Sequence, residues 1–94
     1  MDGGELAEEF LRRRTLLVSL FLGNEWATIR KRDGRINVQF SKKPCQPLLV
    51  QLRGTLVWNG KSWSVECRTT LRYPLEQLVK MLLDRSWRIG NAQA

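Results

Sequence analysis

The chain has 94 residues, 43% of them hydrophobic, and a formal net charge of +7. This length predicts a single domain over 1–94 with one small core, and the composition excludes a disordered or low-complexity protein. The positive charge favours a polyanionic partner, meaning nucleic acid, an acidic protein or an anionic membrane surface. A charge that only keeps the protein soluble is the plain alternative.

Two cysteines and no histidine are present. This set excludes a disulfide-dense scaffold and the usual four-ligand zinc site, so we expect no metal and no cofactor. Cys67 is interpreted as a small core residue and Cys45 as an incidental reduced thiol, which makes a cytoplasmic or otherwise reducing location the default. The apolar run 16–22 is too short to cross a bilayer, and no cleavage site follows it, so we expect no membrane span.

A short N-terminal helix is predicted over about 4–14. Its acids lie at the start and its arginines at the end, as the helix dipole favours. Glu9 and Arg13 have the spacing of a helical ion pair, and Leu6 and Phe10 form a narrow apolar stripe.

The continuous apolar run 15–22 predicts a central, buried strand. Two further strands, 26–31 and 36–41, flank Asp33-Gly34, which is a strong hairpin signal. A two-residue turn places Ile29 opposite Val38, with all apolar residues of the hairpin on one face.

A second hairpin is predicted from 48–58 and 61–69, around Asn59-Gly60. A two-residue turn here places Trp58 opposite Lys61 and Leu56 opposite Trp63. It also predicts an ion pair between Arg53 and Glu66 and a bend at Gly54.

A C-terminal helix is predicted over about 74–88, with Pro74 in its first turn, Gly90 as its stop and a frayed tail over 90–94. The predicted fold class is α+β. A curved antiparallel sheet of about five strands, over about 15–70, is packed by the C-terminal helix and carries a short N-terminal helix. The sequence is compatible both with a closed barrel and with an open sheet.

The chain carries no recognisable catalytic arrangement, because the usual acid–base residue is absent and the carboxylates are few and scattered. Its glycines match no nucleotide-binding pattern. We therefore expect a protein that is not an enzyme.

The first hairpin and the loop after it carry six cations against one acid. Cations interleaved with an aromatic and with amide side chains suit a phosphate backbone with stacked bases. The candidate nucleic-acid-binding residues are Trp26, Arg30, Lys31, Arg32, Arg35, Asn37, Gln39, Lys42 and Lys43. The alternative is an ordinary polar face on which Trp26 packs under the N-terminal helix.

The leading hypothesis is a small, weakly sequence-selective protein that binds single-stranded or structured RNA or DNA. The alternative is an adaptor or inhibitor that docks the same basic face on an acidic protein surface, with Trp58, Arg12 and Arg13 as candidate anchors. A homodimer fits either function, because a sheet covered on one face leaves strand edges and the other face exposed.

Overall fold

The computed structural model describes residues 3–32, 35–45, 56–67 and 72–93. In chain order the elements are α1 (Gly3–Arg12), β1 (Leu16–Leu22), β2 (Glu25–Arg32), β3 (Arg35–Phe40), β4 (Leu56–Trp58), β5 (Trp63–Cys67), α2 (Arg72–Asp84) and β6 (Arg88–Gln93). None of the helices in these ranges has the length and apolar character needed to span a bilayer.

The strands form one open antiparallel sheet in the order β4-β5-β3-β2-β1-β6. The α+β class with an antiparallel sheet is confirmed, while the expected five strands are wrong by one. The register of the first hairpin is also confirmed, since Ile29 pairs with Val38 and Ala27 with Phe40.

The two helices pack against each other and share one core with the sheet. They contribute Leu6, Phe10, Leu78, Val79 and Leu82, and the sheet contributes Leu16, Val18, Leu20, Ala27, Ile29, Ile36, Val38, Phe40 and Val65. Because all these strand positions point to one side of the pleat, both helices lie on one face of the sheet. We call the opposite surface the open face, and no described helix covers it.

Strand β1 is buried on one side only, which corrects the prediction of a fully buried strand. Leu16, Val18 and Leu20 lie in the core, whereas the alternate positions are half-buried or exposed, with Phe21 46% exposed. The polar Ser19 in the middle of the apolar run is the sequence signal for this alternation.

The second hairpin has a four-residue loop, so the predicted two-residue turn and its pairing are wrong. Trp58 pairs with Trp63 and Leu56 with Val65. The cause is Asn59, whose side-chain Oδ1 accepts hydrogen bonds from the backbone N–H groups of Lys61 and Ser62, both at 2.9 Å. This side chain satisfies two loop donors and makes the longer loop stable.

The last helix begins at Arg72, with Pro74 in its first turn as predicted, but it ends at Asp84 rather than near residue 88. The backbone N–H of Trp87 donates to the carbonyl of Leu82 at 3.0 Å, and that of Ser86 to Leu83 at 3.0 Å. Ser86 takes a positive φ of 69°. These bonds are those of a Schellman motif, which ends the helix and turns the chain back toward the sheet.

The predicted frayed tail is instead strand β6, which pairs with β1. The register between them shifts between Ser19 and Leu20, so Gly90 is the extra residue of a β-bulge. The predictions for the Asp33-Gly34 turn, the strand segment 48–55, Arg53 and Gly54 lie outside the described residues, as do those for the side chains of Glu66 and Cys67.

Candidate nucleic-acid interface

An aromatic pair, Phe21 and Trp26, lies side by side at one end of the open face. Cross-strand pairing joins Phe21 to Trp26 on one side and to Arg88 on the other. Phe21 is 46% exposed, Trp26 is half-buried, and Arg88 is exposed. This row presents two adjacent rings with a cation beside them.

Trp26 is held by its backbone. Its N–H donates to Ser41 Oγ at 2.9 Å, and its carbonyl accepts from the N–H of Ser41 at 3.0 Å. These two bonds close the open end of the first hairpin. Since Trp26 lies on the face opposite to α1, the alternative in which the N-terminal helix covers it is wrong.

A polar zone follows the aromatic pair along the strands. Ser19, Thr28, Gln39 and Ser64 form one cross-strand row, and all four side chains are half-buried. Asn37 donates from Nδ2 to Ser64 Oγ at 3.1 Å, which fixes its amide on the surface of this zone. Hydroxyl and amide groups of this kind donate and accept hydrogen bonds with bases and sugars.

Three exposed arginines, the arginine cluster, occupy the far end of the open face: Arg30, Arg32 and Arg35. Arg32 pairs with Arg35 across the hairpin, and Arg30 lies two residues before Arg32 on the same side of β2. With a rise of about 3.3 Å per residue, Arg30 lies about 13 Å and Arg32 about 20 Å from Trp26 along the strand. The open face therefore carries the aromatic pair and Arg88 at one end and the arginine cluster at the other.

Lys31 does not belong to the open face. It alternates with Arg30 and points to the side of the helices, where its Nζ donates to the carbonyl of Phe10 at 2.5 Å. Phe10 lies in the last turn of α1, so this lysine supplies a donor and a positive charge to the helix C-terminus. The structure gives Lys31 a role in docking α1.

The lysines after β3 also lie apart from the arginine cluster. Lys43 stands with Nζ 5.5 Å from the ring centroid of Trp63, and that ring lies 5.4 Å from the ring of Trp58. Trp63 is in register with the buried Phe40, so this group faces the helix side of the sheet. Trp58 is 50% exposed, as its position beside the turn predicts, and Lys42 is exposed.

Arg12 and Arg13 both bind Glu9, at 2.5 and 2.6 Å. The hydrogen bond from Arg13, followed by that from Arg12, holds the pKa of the Glu9 carboxyl below its usual value. The two candidate anchor arginines are thus both bound to Glu9 of α1.

Phe21 and Arg88 are two members of the open face that sequence reasoning missed. The apolar run 15–22 predicts a fully buried strand and so hides Phe21, although the polar Ser19 two residues earlier indicates that this side of β1 is exposed. Arg88 was assigned to the end of a helix, and no glycine at position 86 marks the earlier stop.

Comparison with models of protein families, with curated proteins and with solved structures finds no match to this chain.

Proposed function

We propose that the protein binds nucleic acid through the open face, without catalysing a reaction. One observation carries the proposal: the exposed Phe21 and the half-buried Trp26 share a surface, uncovered by any described helix, with exposed arginines. These arginines are Arg30, Arg32, Arg35 and Arg88. Guanidinium groups bind phosphate, and aromatic rings stack on bases.

The aromatic rings and the arginines contribute to the binding free energy in different ways. Each base stacked on an aromatic side chain contributes about 1–3 kcal/mol, and each neutralised phosphate releases counterions and makes binding weaker as salt rises. Binding through the open face should therefore combine a strong salt dependence with a salt-independent stacking contribution.

Weak sequence selectivity follows from the same arrangement. Every base offers a π-face to Phe21 or Trp26, and phosphates carry no sequence information. The polar zone holds few side chains and one of its amides, that of Asn37, is already bonded to Ser64.

The alternative partner is an acidic protein surface, for which the same arginines would set the association rate. Support for an acidic protein partner is weaker, because two of the candidate anchors, Arg12 and Arg13, are bound to Glu9. Trp58 keeps the half-exposed position that an anchor requires.

A fluorescence-anisotropy titration with labelled RNA and DNA oligonucleotides at two salt concentrations tests the proposal. We expect binding that weakens steeply with salt and is lost in the double variant Arg30→Glu/Arg35→Glu. Lys80→Glu/Arg85→Glu, a double charge reversal at exposed residues on α2 and just after it, is the matched control and should weaken binding much less.

Absence of binding to every oligonucleotide at low salt would reject the proposal. In that case a stoichiometric acidic partner that binds the wild type, and not the double variant, would establish the alternative. Circular dichroism of each variant would verify that the fold is intact.

A further inference from the structure

We infer that the open face selects unpaired nucleic acid, with bases stacked on Phe21 and Trp26 and the sugar–phosphate backbone running along β2 to the arginine cluster. The inference rests on the proposed function and adds the class of ligand and its direction on the surface. Three features of the sheet support it.

The first feature is the separation of the two ends. Trp26 of the aromatic pair and Arg30 lie about 13 Å apart along β2, with no charged side chain between them on this strand face. A ligand that engages both ends must offer an accessible base face at one end and phosphates further along. An unpaired segment of about four nucleotides, the short end of the range for single-strand-binding domains, has both.

The second feature is how little the first hairpin protrudes. A two-stranded ribbon can enter the major groove of a duplex. Here, however, β1 pairs with β2 as far as Lys31, and β5 pairs with β3 as far as Ile36. Among the described residues of the hairpin, the Arg32–Arg35 pair alone extends beyond these pairings with the neighbouring strands.

The width of the sheet is a second reason why the open face cannot enter the major groove of a duplex. Six strands spaced about 4.8 Å apart span about 24 Å between the edge strands, whereas the major groove is about 12 Å wide. The sheet can meet a duplex only at its phosphates, and the paired bases would leave Phe21 and Trp26 without a ring to stack on.

The third feature is the polar zone between the two ends. Thr28 and Gln39 pair across β2 and β3, directly between the aromatic pair and Arg30. Their hydroxyl and amide groups lie where the sugars and base edges of an unpaired segment would pass. In a duplex those base edges are already paired.

The test compares three labelled ligands of equal length: a single-stranded oligothymidylate, a duplex, and a single strand of abasic sites that keeps the phosphates and lacks the bases. A length series of the first, from two to twelve nucleotides, measures the occupied site. We expect the single strand to bind at least tenfold more tightly than the duplex or the abasic strand, with a plateau near four nucleotides.

Two kinds of variant separate the two ends of the site. Trp26→Leu should weaken single-strand binding roughly tenfold and leave the salt slope unchanged, because it removes stacking alone. Arg30→Gln should lower the salt slope by about one, because it removes one phosphate contact. Phe21→Leu, at a more exposed ring, repeats the stacking test if Trp26→Leu is unstable.

Tryptophan fluorescence supplies a local readout. Quenching on binding should be lost in Trp26→Leu and retained in Trp58→Leu, because Trp58 lies on the other side of the sheet at strand β4.

The outcomes distinguish the two proposals. Equal affinity for duplex, abasic and single strands, with no effect of Trp26→Leu or Phe21→Leu, would overturn the selection of unpaired nucleic acid and leave the proposed function standing. Failure of all three ligands to bind at low salt would reject the proposed function itself.

Discussion

The ring of Phe21 lies against the backbone of Gly90, so that a Cβ at position 90 would collide with the ring. A Cβ on Gly90 would stand 2.6 Å from Cδ2 of Phe21, well inside the contact distance of two carbon atoms. The two residues lie on neighbouring strands, at the bulge between β1 and β6. The bulge glycine therefore sets the position of the more exposed ring of the aromatic pair.

Replacing Gly90 by alanine should displace this ring and weaken the binding of unpaired oligonucleotides. The loss should not exceed the contribution of one stacked base, about 1–3 kcal/mol. A double-mutant cycle with Phe21→Ala, measured by anisotropy titration, checks the cause. In the Phe21→Ala background, Gly90→Ala should have no further effect on affinity, and an equal effect in both backgrounds would contradict this explanation.

Arg30 and Lys31 are neighbours in sequence with opposite roles, so the same substitution at each should act on different properties. Lys31→Met removes the hydrogen bond to the Phe10 carbonyl and should lower the free energy of unfolding by about 1 kcal/mol. Arg30→Met should change stability little and reduce the salt slope of nucleic-acid binding.

Urea unfolding and salt-dependent titrations of both variants check this pair. A fall in the salt slope for Lys31→Met as large as for Arg30→Met would contradict the assignment of Lys31 to the helix side. The comparison is matched because both variants lose one positive charge.

Ser86→Gly should stabilise the protein by about 1 kcal/mol. Ser86 has a φ of 69°, a left-handed conformation that costs a residue with a Cβ about 1–2 kcal/mol and glycine very little. Part of the gain is offset by the greater freedom of glycine in the unfolded chain. Denaturant midpoints of Ser86→Gly and of Ser86→Ala as the control measure the effect, and an equal midpoint for both would contradict it.

Acidification should weaken the N-terminal helix through Glu9. Its bonds with Arg13 and Arg12 hold its pKa below the ordinary 4.5, so its stabilising contribution is complete above pH 4.5 and is lost as the pH falls through the lower value of the folded state. The variant Glu9→Gln should therefore be slightly less stable than the wild type at neutral pH and equal to it in strong acid.

High salt should reduce the difference in stability between Glu9→Gln and the wild type at neutral pH, because the ion pairs are exposed. A difference between Glu9→Gln and the wild type that persists unchanged at low pH would show that Glu9 acts through packing rather than charge. Thermal unfolding followed by circular dichroism across pH 2–7 would decide.

The first hairpin could be predicted from sequence because two independent signals agree on it. The turn dipeptide fixes the pairing, and alternation puts Ala27, Ile29, Ile36, Val38 and Phe40 on one face in that same pairing. In the second hairpin the pairing is predicted from the turn dipeptide alone, which favours a two-residue turn. The hydrogen bonds of the Asn59 side chain instead stabilise a four-residue loop. A shift of two residues keeps every side chain on its face, so alternation could not reveal the error.

The composition of the open face was harder to predict because it depends on which strands become neighbours. Trp26, Arg30 and Arg35 follow from the hairpin alone. Arg88 reaches the same face only because β6 pairs with β1, and the Schellman motif at Ser86 that permits this has a serine where glycine is common. Charge alone groups Lys31 with the candidate binding residues, whereas alternation along β2 puts it on the face opposite to Arg30.

The pairing of β6 with β1 also has a consequence for synthesis on the ribosome. Strand β1 emerges well before its outer neighbour β6, which comes only after α2. Until then β1 is an edge strand with unpaired N–H and C=O groups and the exposed ring of Phe21, which is a template for pairing with another nascent chain. A chain cut short after α2 should therefore aggregate, and the emergence of β6 is the step that protects this edge.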